Sequence, residues 1–160
     1  MDARQLPDLG RRGEGWVLVQ IVLFLAIALA GALGPAWSGS ARVATLAVGA
    51  LLAVAGLLLA ARGVLDLNDN LTPFPRPIPD GRLIDTGAYA LVRHPIYGGL
   101  VTGAFGWGLA TASPAAILGA GLLLGFFDLK SRREEIWLAE RYHEYGAYRT
   151  RTRRLLPWIY

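Results

Sequence analysis

Three groups of residues have the types and spacing to do chemistry. Arg93, His94 and Tyr97 stand together in Arg93-His94-Pro95-Ile96-Tyr97. Glu134 and Glu135 follow a run of 33 uncharged residues, 95–127, that Asp128 closes. Tyr142, Tyr145, Arg153 and Arg154 complete the set toward the C-terminal end. Ionisable groups kept at the two ends of a membrane-length apolar element mark a functional site by default. Guanidinium groups bind carboxylates bidentately, a carboxylate holds an ammonium, and tyrosine faces stabilise an onium centre through cation–π attraction. S-adenosylmethionine carries a carboxylate, an ammonium and a sulfonium, so the set suits it. A phospholipid headgroup shares much of the pattern, and chemistry alone does not separate the two.

Other charged residues read more simply. Arg132, Arg133, Arg149 and Arg151 suit topology and headgroup contacts. Glu140 and Glu144 suit solvated helix positions, and His143 an exposed helix residue. His94, Glu134 and Glu135 read as functional, because charge is expensive to keep beside a hydrophobic boundary. The chain has no cysteine, which excludes disulfides, thiolate ligands and a Cys nucleophile. Its two histidines, His94 and His143, have no ligand-like spacing, so no metal site is expected.

The elements that position these groups follow from composition. Of 160 residues, 54% are hydrophobic and only 18% charged, the balance of a membrane protein. Residues 15–41, 43–61 and 95–127 carry no charge. A span needs about 20 apolar residues, so the first two runs fit one span each, roughly Trp16–Leu33 and Ala41–Leu65. The third is too long for one span and short for two. It divides at Ser113-Pro114, an N-cap followed by a proline at the first helical position. Its halves, about 96–111 and 114–129, are expected as a tight hairpin packed through Gly98, Gly99, Gly103, Gly106 and Gly108 against Gly119, Gly121 and Gly125.

The expected fold is therefore an all-α integral membrane protein of one domain, 1–160, with about four transmembrane helices. Spans in 1–65 lead to a Pro-rich cytoplasmic connection over 66–95, the hairpin over 96–129 and a cytoplasmic tail over 130–160. In the connection, Pro73, Pro75, Pro77 and Pro79 block a helix. Its apolar Phe74 and Ile78 suggest that it lies against the membrane face and fixes the approach to Arg93. In the tail an amphipathic helix is expected over about 131–147, with Glu135, Leu138, Tyr142 and Tyr145 on one stripe.

The net charge is +4, and basic residues fall as 3, 1, 4, 0 and 8 over the N-terminal segment, the successive connections and the tail. That alternation fits four passes with both termini cytoplasmic, and topology explains it better than nucleic-acid binding. A cleaved signal peptide ending near Ala28-Leu29-Ala30 is the competing reading of the first run, which is longer than an ordinary signal core.

Thr86-Gly87-Ala88-Tyr89, Val92-Arg93-His94-Pro95-Ile96-Tyr97-Gly98-Gly99, Arg133-Glu134-Glu135, Tyr145-Gly146-Ala147-Tyr148-Arg149 and Arg153-Arg154-Leu155-Leu156-Pro157 carry a resemblance. Over about 85–160 the chain resembles the isoprenylcysteine carboxyl methyltransferase family in its short prokaryotic form, with the phospholipid N-methyltransferases close by. The resemblance implies an integral membrane methyltransferase of a prokaryotic plasma membrane. It would use S-adenosylmethionine from the cytoplasm and take a lipophilic acceptor laterally from the bilayer. Carried over, it assigns the cofactor to Arg93, His94, Pro95, Tyr97, Glu134 and Glu135, with Tyr145, Tyr148, Arg153 and Pro157 matching the same pattern. Four passes are fewer than eukaryotic members have, and a prokaryotic cell lacks the usual farnesylated acceptors.

The chemistry expected is in-line methyl transfer. If the acceptor is an isoprenylcysteine-like carboxylate, Arg153 would orient it and no base is needed. If it is a lipid amine, Glu135 or His94 must take a proton. Two rivals have other consequences: a sterol-reductase-like enzyme with a nicotinamide cofactor, which has more spans, and a non-enzymatic scaffold whose basic tail binds anionic lipid.

Overall fold

The computed structural model describes residues 6–157, 159 and 160. Arg4, counted above in the N-terminal charge, and Trp158 lie outside the described residues. The described residues form five α-helices: α1 (Glu14–Leu33), α2 (Arg42–Leu67), α3 (Pro95–Ala110), α4 (Pro114–Arg141) and α5 (Tyr145–Arg151). Short 3-10 turns cover Asn68–Asn70 and Gly87–Ala90. Three helical segments, Glu14–Leu33, Arg42–Asn70 and Pro114–Arg141, are long and apolar enough to cross a membrane. The chain is thus an all-helical, multi-pass membrane protein. The 16 residues of α3 reach only about 24 Å at the helical rise, short of a hydrocarbon core about 30 Å thick.

The third uncharged run does break where its cap chemistry indicates. Ser113 caps α4, its Oγ accepting from the Ala116 backbone N–H at 3.2 Å and donating to Ala30 O at 2.9 Å. Pro114 then occupies the first turn, where its missing N–H costs nothing. Beyond Asp128, however, α4 does not end. It continues unbroken to Arg141, so the helix expected over about 131–147 is divided between the end of α4 and α5. No Gly or Pro interrupts 126–141, and the Asp128–Arg132 pair at 2.8 Å supports the helix one turn apart. At 28 residues, α4 is about 42 Å long. It therefore carries Glu134 and Glu135 past the apolar slab on a rigid rod. The break comes at Tyr142, which adopts an extended conformation.

The glycine seam also lies elsewhere than expected. Gly49, Gly56 and Gly63 recur every seven residues, all buried on α2, so they form one stripe after two turns. A Cβ on Gly99 would stand 2.5 Å from Gly56 O and 2.6 Å from Ala60 N. A Cβ on Gly106 would stand 2.5 Å from Ala53 N. The glycine face of α3 therefore packs against α2, antiparallel to it. In α4, Gly121 and Gly125 face open space and Gly119 faces Ile27 of α1. The expected Gly-on-Gly hairpin seam is corrected accordingly: α3 and α4 remain antiparallel neighbours across a three-residue turn, and bulky side chains pack them. Ile27, Val101, Ala116, Leu123 and Phe127 form the buried core between α1, α3 and α4.

Candidate functional site

The site begins where two distant segments pair. Val92 and Arg153 form an isolated parallel bridge. The Arg93 backbone N–H donates to Arg153 O at 2.8 Å, and that of His94 to Arg154 O at 2.9 Å. This pairing brings the tail onto the start of α3. Side chains alternate along extended chain, so Arg154 turns inward, with its side chain 13% exposed, while Arg153 is exposed.

Glu135 is the hub of the inward-facing charges. It is buried, and its Oε1 accepts from Arg93 Nε at 2.8 Å and Arg154 Nε at 3.2 Å. Arg149 Nε lies 3.6 Å from its Oε2. Arg93 also donates through Nη1 to the backbone oxygens of Arg149, at 3.1 Å, and Thr152. Arg154 reaches Asp128 Oδ1 at 2.9 Å, and the Tyr160 hydroxyl donates to the same oxygen at 2.8 Å. Burial works to lower the Arg154 pKa, but Glu135 and Asp128 outweigh it and hold the guanidinium charged. A buried carboxylate is tolerable only when so paired.

Glu134, the next residue, points to a different place. Its Oε2 accepts from the Tyr97 hydroxyl at 2.8 Å and lies 3.9 Å from His94 Nδ1. His94 stacks on Tyr97, centroids 5.4 Å apart and planes within 3°, and Tyr97 stacks on Phe127 at 4.5 Å. His94 Nε2 lies 3.4 Å from Glu135 Oε1, but off the line of a hydrogen bond, and is left buried without a partner. The Tyr145 hydroxyl is likewise buried and unpartnered.

These groups face a cavity of about 360 Å³, within the size range of small-molecule sites. Arg93, His94, Tyr97, Glu134, Tyr145 and Tyr148 line it, joined by Tyr89 and Tyr142. Phe74, Ile78 and the neighbouring prolines close the opposite side. The Pro-rich segment is held there by the chain's N-terminal part: the Arg12 guanidinium lies 4.4 Å from the Phe74 ring centroid, and Arg76 Nη1 donates to Arg11 O at 2.9 Å. Burial pushes the phenols of Tyr89, Tyr145 and Tyr148 well above their ordinary range. They therefore stay neutral and offer ring faces and hydroxyls rather than phenolates.

The structure thus gathers Arg93, His94, Tyr97, Glu134, Tyr145 and Tyr148 around one space. Pro95 starts α3 and Glu135 stands behind Arg93; neither lines the cavity. The Arg153 side chain is not brought to it either. Because the bridge register turns Arg154 inward, Arg153 contributes its backbone carbonyl instead. Among the lining residues not expected are Gln20 of α1 and Lys130 of α4. Both had a signal: Gln20 is the one amide within the first apolar run, and Lys130 the chain's single lysine.

Val64 and Leu71, which also line the cavity, are 37% and 48% exposed on the apolar outer surface. One space therefore touches a polar, aromatic floor and exposed apolar side chains at the end of α2. A family model described as phospholipid methyltransferase matches residues 44–145, from the first turn of α2 to the start of α5. No curated protein matches the chain.

Proposed function

The chain belongs to the phospholipid methyltransferase family, and on that premise we propose that it moves the methyl group of S-adenosylmethionine to a lipophilic acceptor entering from the bilayer. The observation that carries this reading is the cavity between the Glu134–Tyr97 floor and the exposed apolar Val64 and Leu71. The lining residues fit the cofactor's chemistry. Glu134 suits its ammonium, and the neutral faces of Tyr145 and Tyr148 suit a sulfonium. Arg93 and His94, which line the cavity, suit its carboxylate. When bound, S-adenosylmethionine supplies an electrophilic methyl group that an acceptor lone pair displaces in line from sulfur, leaving a neutral thioether. The protein's share is to hold two ligands from different phases in line and to exclude water with the Phe74–Ile78 wall.

Glu135 acts in this account as a positioning residue. Its hydrogen bonds to Arg93 and Arg154 fix the wall, and it stands behind Arg93 rather than on the cavity surface where an acceptor would release a proton. For a phospholipid amine, His94 is the group on the wall able to take that proton. A second reading, carboxyl O-methylation of an isoprenylcysteine-like lipid, is favoured by the position of Glu135 off the cavity wall, because a carboxylate nucleophile needs no base. Alkali separates the two products: a methyl ester releases methanol and a methylated amine does not.

The charge alternation supports cytoplasmic termini in a prokaryotic plasma membrane. The antiparallel course of α3 along α2, from Gly63 to Gly49, supports α3 as a fourth crossing of a locally thinned bilayer.

The test is thermal unfolding of the detergent-purified protein with S-adenosylhomocysteine and, separately, with a nicotinamide dinucleotide. At about a hundredfold excess over Kd, a ligand of the folded state adds about 2.7 kcal/mol. The expected result is a rise in Tm with S-adenosylhomocysteine alone, lost in Glu134→Gln. No rise in a folded sample would favour the lipid-binding scaffold, and a rise with the dinucleotide would favour a reductase.

A further inference from the structure

We propose that Lys130, steadied by Gln20, binds the oxyanion of the acceptor's headgroup. The inference rests on the methyltransferase reading and narrows its substrate class. Lys130 is 1% exposed, and its Nζ donates to Gln20 Oε1 at 2.6 Å. The Tyr97 and Phe127 ring centroids lie 5.0 and 5.8 Å from it. An ammonium has three donors, and one neutral amide satisfies one of them. Among the described residues no carboxylate stands within 4.0 Å of Lys130, whereas Arg93 and Arg154 are each paired with Glu135. Buried charges in proteins are paired or bind a ligand, and Lys130 lines the cavity.

Its position selects the ligand. Lys130 precedes Glu134 by four residues on α4, about 6 Å at the helical rise, toward the apolar middle of the helix. Leu100 and Ile96 of α3 line the cavity with it. That places it one turn from Glu134, on the side toward the apolar middle of α4. An anion reaching it belongs to the acceptor: the phosphodiester of a phospholipid amine, or the carboxylate of a prenylated cysteine. In the first the anion stands an ethylene linker away from the amine that takes the methyl; in the second it is the nucleophile itself, its non-attacking oxygen left for the ammonium, and an ammonium held by Gln20 recognises either.

The experiment compares wild type, Lys130→Met and Lys130→Arg in detergent with three acceptors. These are a short-chain phosphatidylethanolamine, a farnesylated cysteine and a long-chain primary amine lacking any anion. KM for each is measured beside the Kd for S-adenosylhomocysteine and the Tm. A lost hydrogen bond to a charged group predicts a rise of about tenfold or more in KM for the anionic acceptor that wild type uses. Lys130→Arg retains most of the affinity, the anion-free amine is a poor acceptor for all three proteins, and cofactor Kd and Tm are kept. Which anionic lipid is methylated tells phosphodiester from carboxylate. An unchanged acceptor KM in Lys130→Met, or a loss confined to cofactor affinity, overturns the inference while leaving the methyltransferase intact. A wild-type protein that binds no S-adenosylhomocysteine and methylates nothing overturns both.

Discussion

Replacing Glu135 with alanine is expected to cost about 3–5 kcal/mol of stability, the usual effect of removing one partner from a buried ion pair. Arg93, with its side chain 8% exposed, would lose its carboxylate partner, and Arg154, 13% exposed, would keep only Asp128. The same change unpins the tail, because the Glu135 carboxylate ties the start of α3 to the segment that carries Arg154. Unfolding of the detergent-solubilised protein should show a clear fall in Tm for Glu135→Ala and a smaller one for Glu135→Gln, which keeps an acceptor oxygen. Glu134→Ala removes only the partner of the Tyr97 hydroxyl on an open cavity wall, so its Tm should stay near wild type while ligand binding is lost. Equal stability of Glu135→Ala and wild type would mean that the arginine network does not hold the site together.

The second large effect is expected at Gly99. A leucine there meets the Gly56 carbonyl and the Ala60 backbone within 3 Å. Neither is a flexible side-chain end, so α2 and α3 must separate. Overpacking of a fixed interface costs about 3 kcal/mol or more at such a point. Gly121→Leu is the matched control: nothing lies within 4 Å of its Cβ, and an exposed helix position changes stability by about 0.5 kcal/mol or less. Had the glycines packed α3 against α4, both substitutions would be damaging. Unfolding of the two variants side by side tells the α2–α3 seam from the hairpin seam.

Several features were legible in the sequence because they rest on local chemistry. The turn at Ser113-Pro114 could be read from capping alone. The apolar runs gave α1 and α2 to within a few residues, since length and lack of charge are sufficient there. The gathering of Arg93, His94, Glu134 and Tyr145 followed from ionisable groups at a common boundary. What was not legible depends on tertiary register. Glu134 and Glu135 are neighbours about 100° apart around a helix, so no spacing rule says which faces the cavity and which the arginines. The choice of Arg154 over Arg153 turns on a single bridge to Val92. The end of α4 was misplaced because the charges after Asp128 read as the end of a span, whereas a helix can leave the bilayer without breaking. The seven-residue recurrence of Gly49, Gly56 and Gly63 was present to be read, but its partner helix was not.

The measurement that tests the central claim most directly is transfer of a labelled methyl group from S-adenosylmethionine to lipid, in bilayers of phosphatidylethanolamine and anionic lipid with farnesylated cysteine added. Wild type should carry label into the organic-extractable fraction, and Glu134→Gln, folded to the same Tm, should carry little. Label that stays entirely in the aqueous phase, from a wild-type protein shown to be folded, would contradict a methyltransferase acting on a lipophilic acceptor.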